Sequence, residues 1–166
     1  MYELKPLSKD AVPAALDKAV RYRLLNEPLE AESICRDILR VDPENGQALL
    51  HLLLSLTDQF EERLADAFNQ ARELVPRLED EYSRAYYSGI IAERRAKCHL
   101  KRGGPGSGPV AFDWFRQALE SFEKAVALRP EGYEESILRW NTCARILARH
   151  PELKPAPQDT FEPFLE

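Results

Sequence analysis

The residues best placed to do chemistry cluster in the second half of the chain. Asn141 and Arg145 are four apart. On a helix they share a face, where an amide and a guanidinium can hydrogen-bond a ligand's backbone or carboxylate. Trp140 recurs at helical spacing with Ile137, Ala144 and Leu147, the pattern of a core-facing stripe. Residues 84–102 carry six Lys or Arg against one acid, Glu93, with His99 besides. Arg94, Lys97 and Lys101 fall on one helix face. Such a stretch suits an acidic peptide, a phosphate or RNA. The simpler reading is a solvated helix end, where the dipole favours cations.

Other candidates are weaker. Cys98 and His99 are adjacent, so on a helix they point apart and lack the geometry of a nucleophile and its base. Cys35, Cys98, Cys143, His51, His99 and His150 show no metal-ligand spacing. The glycine-rich run at 103–109 lacks the Gly-Lys-Ser/Thr ending of a phosphate loop and follows a helix, not a strand. It reads as a flexible linker. No catalytic residue, metal or cofactor is expected.

Composition narrows the class. The chain has 166 residues, 44% hydrophobic and 31% charged, with a net charge of -5. That is an ordinary globular balance, and its acidity argues against nucleic acid and anionic membrane as partners. The N-terminus has no charged-then-apolar leader pattern. The longest near-apolar run, 48–56, is interrupted by His51 and Ser55 and is roughly half of the ~20 residues that span a bilayer. Three widely spaced cysteines are no disulfide framework, so a reducing, cytoplasmic location is expected.

Seven helices must position these residues. Periodicity and stop signals place them at about 10–25, 28–41, 47–58, 61–75, 79–101, 112–128 and 134–149. Asp10 is the expected cap of the first, with Pro13 in its first turn. The third is apolar nearly all round, with Leu49, Leu50, Leu52, Leu53, Leu54 and Leu56, and so belongs between neighbours. Residues 1–9 form an arm, 10–150 the helical domain and 151–166 a proline-rich tail. That tail is either disordered or docked through Phe161, Phe164 and Leu165.

One phrase recurs. Phe68, Ala71, Leu74 and Pro76 repeat as Phe122, Ala125, Leu128 and Pro130, with a looser copy in Cys35, Ile38, Val41 and Pro43. Each is an amphipathic helix end followed by a proline that cannot continue it. Pro43 and Pro76 are thirty-three apart, close to the ~34-residue period of one class of helical repeat. Ala19 and Tyr22 in the first unit's leading helix, Ala31 early in its second and Asp42-Pro43 at its close complete the pattern, as does Ala118 in the third unit. In these residues the chain resembles the tetratricopeptide repeat (TPR) family across roughly residues 12–149.

The resemblance implies an all-α, right-handed helical-repeat array of about three helix pairs plus a C-terminal capping helix. Arg139, Arg145 and Arg149 suit the polar outside of that cap. It also implies a concave groove lined by the first helix of each pair, binding an extended peptide or helix. Groove candidates are Arg23, Tyr87, Arg94, Trp140, Asn141 and Arg145. The carboxylate-binding version of the fold uses Lys and Asn where this chain has Leu16, Val20, Leu50 and Leu54, so a partly apolar groove is expected. The expected function is a non-enzymatic scaffold or adaptor with a protein or peptide partner, and possible self-association through helices or tail. The alternative is a chaperone for secreted or aggregation-prone proteins, by analogy with acidic three-repeat members of the family. RNA binding through 84–102 ranks below both.

Overall fold

In the computed structural model, residues 1–158 are described; Phe161, Phe164 and Leu165 lie outside them. Seven α-helices follow one another: α1 Val12–Leu24, α2 Pro28–Val41, α3 Gly46–Thr57, α4 Phe60–Leu74, α5 Glu81–Arg102, α6 Ser107–Leu128 and α7 Glu135–Arg149. No strand occurs among the described residues. Each helix packs on the next, and α1 also touches α3; the most extensive contact joins α5 and α6.

The recurring proline does what its chemistry requires. α2, α4 and α6 end at Val41, Leu74 and Leu128, each two residues before its proline. The phrase residues on these even-numbered helices are core: Cys35, Ile38, Phe68, Ala71, Leu74, Phe122 and Ala125 are all buried. α3 is enclosed as its composition demands, burying Leu49, Leu52, Leu53 and Leu56. Cys35, Cys98 and Cys143 are buried and free.

Three boundaries differ from the sequence reading. The expected cap Asp10 lies inside a short 3-10 turn, Lys9–Ala11, and Ala11 precedes α1 without a side-chain cap. The run 103–109 is not loop throughout, because α6 already begins at Ser107. Pro109 falls in its first turn, where no backbone donor is needed. Only 103–106 connect the helices, and Gly103, Gly104 and Gly106 have positive φ, a region open to glycine. Finally, α4 breaks at Arg63, whose backbone (φ -143, ψ 53) is not helical. Its guanidinium meets Glu32 of α2 at 3.1 Å.

The extensive contact between α5 and α6 has a glycine within it. A Cβ on Gly89 would lie 2.5 Å from Cε1 of Phe122, whose ring is fully buried. Glycine here is a packing requirement, since its own helix would prefer alanine. Gly89→Ala is expected to lose about 1–3 kcal/mol through overpacking, read by chemical denaturation. Gly89→Ala with Phe122→Leu should recover part of that loss.

Candidate functional site

The odd-numbered helices α1, α3 and α5 meet at one carboxylate. Asp58 stands at the C-terminal end of α3. Its Oδ2 accepts a hydrogen bond from Arg23 Nε of α1 at 2.8 Å, and Arg94 Nη1 of α5 lies 3.5 Å from Oδ1. Asp58 and Arg23 are only 17% and 20% exposed, so the attraction is less screened than in a surface pair. His51, Leu54 and Asp58 follow one stripe of α3 at i, i+3 and i+7. His51 Nδ1 is buried without a hydrogen-bond partner. Burial, and then the charge of Arg23, holds the imidazole below its ordinary value of 6.5.

A second carboxylate continues the line to α7. Glu93, next to Arg94, is fully buried. Lys97 Nζ reaches its Oε1 at 2.9 Å and Arg139 Nη1 of α7 its Oε2 at 3.2 Å. Burial, with Glu93 beside it, pushes the Cys143 thiol up to about 12, so this cysteine is a thiol and not a nucleophile. Neighbouring positions on α5, about 100° apart around the helix, thus face different partners, Arg94 toward α3 and Glu93 toward α7. Along the same odd-numbered helices, Leu16, Val20, Leu50 and Leu54 are half-buried, Leu16 and Leu54 against core clusters.

No family model, characterised protein or solved structure matches the chain. The residues themselves must therefore carry the interpretation. Of the six groove candidates, Arg23 and Arg94 come together on Asp58. Tyr87 is half-buried between the two larger core clusters. Trp140 packs partly buried against the second cluster, as its spacing implied. Asn141 is half-buried and Arg145 exposed; neither makes a side-chain hydrogen bond or ion pair among the described residues.

The basic stretch is occupied from within. Lys97 pairs with Glu93, Arg94 with Asp58 and Lys101 with Glu61. Arg84 donates to the Leu78 and Glu79 carbonyls, and Arg102 to that of Glu61. Arg95 lies over the rings of Phe68 and Trp114, 3.9 and 4.3 Å from their centroids. Cys98 points to the Phe60 carbonyl at 3.5 Å, so it does not pair with His99. One expectation is reversed: Arg139 does not coat the outside of α7 but reaches inward to Glu93. No group of three His, Cys, Asp or Glu among the described residues could hold a metal ion, and no described helix is long and apolar enough to cross a membrane.

Sequence reasoning missed Asp58, Glu93 and Glu32. Glu32 is buried, accepting from Arg36 at 2.8 Å and from Gln59 of the α3–α4 corner at 2.7 Å. The available signal was a lone acid inside an apolar or basic helix: Glu93 in 84–102, and Asp58 ending the apolar run.

Asp58→Ala leaves two half-buried arginines facing each other. It should cost roughly 1–3 kcal/mol, below the value for fully buried pairs because of residual exposure, measured by urea denaturation. His51 adds a pH dependence. Its folded value is depressed, so its contribution is complete above 6.5 and is lost as pH falls through the folded value. His51→Leu should lose less stability than wild type between about pH 7.5 and about 5.5.

Proposed function

We propose that the protein is a non-enzymatic TPR-like interaction module that binds a peptide or helix of a partner along the face shared by α1, α3, α5 and α7. The supporting observation is the carboxylate Asp58, which ties the leading helices of three successive pairs to one another. The repeated phrase is spent on the core by α2, α4 and α6. The odd-numbered helices combine half-buried Leu16, Val20, Leu50 and Leu54 with charged groups held at fixed positions. Apolar anchors inside a charged rim are what a peptide groove requires.

Binders selected from a random peptide library on the intact chain provide the test. Val20→Glu should weaken them at least about tenfold, since a carboxylate replaces an anchor contact. Leu29→Glu on the outer helix α2 should leave affinity unchanged. Both variants should melt near wild type. Equal affinity for Val20→Glu and wild type would remove this face as the site.

A further inference from the structure

The corner where α5 begins and the turn into α7 passes over it is built from four tyrosines. Tyr82, Tyr86 and Tyr87 come from α5, and Tyr133 from the turn before α7. The rings of Tyr82 and Tyr86 are stacked, 5.8 Å between centroids and 11° between planes. Tyr133 stands across Tyr82 at 6.0 Å and 78°, and Tyr87 across Tyr86 at 4.9 Å and 88°. An open cavity of about 330 Å³ is lined by the four tyrosines together with Asp80, Ser83, Pro130 and Glu135.

The chemistry of the lining selects its ligand. Aromatic faces carry negative quadrupole charge and attract cations. Two carboxylates share the lining: Glu135, and Asp80, which caps α5 by accepting from Ser83 N and Oγ. The flanking segments, 79–82 and 131–135, contain six Asp or Glu and no Lys or Arg. Arg139, a cation that interacts with Tyr86, is tied to Glu93. Burial, with Tyr86, Tyr82 and Glu135 adding, keeps the Tyr87 phenol up at about 12, so this ring stays neutral. Anions are opposed by the carboxylates. Bare metal ions lack a ligand set, since no group of three His, Cys, Asp or Glu could hold one among the described residues. An organic cation with an apolar skin fits both parts of the lining.

We propose that this corner binds an alkylammonium group, the methylated or bare end of a lysine side chain carried by the partner peptide. The cation site stands on the tyrosines and carboxylates alone; the peptide as carrier rests on the function proposed above. Tyr87, a groove candidate on α5, joins the two.

Choline and its neutral carbon analogue, in which a tert-butyl group replaces the trimethylammonium, separate charge from shape. Titrated into the intact chain and followed by the ring resonances of Tyr82 and Tyr133, choline should saturate at least about fivefold more tightly than the analogue. Tyr133→Ala, in an exposed turn, should weaken choline at least about fivefold while leaving the melting temperature unchanged. Equal binding of the two compounds, no saturable shift, or unchanged affinity in Tyr133→Ala overturns the cation site. A short peptide bearing trimethyllysine should bind more tightly than choline, and its unmethylated form more tightly than the same peptide with norleucine in place of lysine. If choline behaves as expected but the trimethyllysine peptide binds no better, the peptide carrier fails and the cation site stands.

Discussion

The arrangement depends on the absence of a side chain at Gly89. Phe122 fills the space a Cβ would take, at the crossing of α5 and α6, the most extensive helix contact of the fold. Both helices are 22 residues long, so fixing this crossing fixes α5 along its length. Everything with functional interest on α5 then follows from rotation. Tyr86 tilts against the Phe122 ring at 5.8 Å, so Tyr82, one turn earlier, is carried to the corner where Tyr133 meets it. Arg94 turns toward α3, Glu93 toward α7, and Arg95 toward the rings of α4 and α6. A larger residue at 89 would push α5 outward and loosen all four at once, because close-packed interiors transmit such displacements.

Electrostatics performs a second task that packing alone leaves open. Helices stacked through apolar stripes can slide or rotate with little change in buried area, since the hydrophobic effect is non-directional. Hydrogen-bonded ion pairs are directional. Asp58 fixes α1 and α5 against the end of α3, Glu93 fixes α7 against α5, and Glu32 fixes α2 against the α3–α4 corner. Each carboxylate draws partners from more than one direction, which offsets the cost of taking the charge out of water. Replacing them by apolar residues of similar size need not unfold the chain; the loss would be in the uniqueness of the helix arrangement.

The legibility of the chain divides along the same line. All seven helices were readable, because apolar periodicity and a proline two residues past the helix end are local signals. So were the core roles of Phe68, Phe122 and Ala125. The break at Arg63 was not, because no proline or glycine marks it, and one of the partners of its side chain, the buried Glu32, lies some thirty residues away. The start of α6 was misplaced for a different reason. Gly108 and Pro109 look like loop residues by composition, yet a helix's first turn tolerates both. Of the site, Arg23 and Arg94 were found as cations. The acid that joins them went unnoticed because a single Asp at a helix end also reads as an ordinary terminus. The tyrosine corner was invisible for a related reason. Tyr82, Tyr86 and Tyr87 are close in sequence, but Tyr133 reaches them only because α6 folds back along α5.

That division bears on where recognition can reside. The even-numbered helices carry the repeated phrase and bury it, so their sequence is constrained by packing. The odd-numbered helices differ among themselves: α3 and α5 bury much of their length, whereas α1 buries Val12 and Ala19 and α7 buries Ser136 and Cys143. What they leave accessible differs too: α1 and α3 offer partly buried aliphatic side chains, α5 offers tyrosines, and Asp80 and Glu135 add carboxylates at the α5–α7 corner. A ligand lying across all three would meet an apolar stretch, a fixed ion pair and an acidic aromatic end in order. Such a graded surface distinguishes one orientation of a bound chain from its reverse, because a cationic group gains only at the tyrosine end while aliphatic anchors gain only at the other. Under the function proposed above, directional reading of an asymmetric peptide is the property this face would supply.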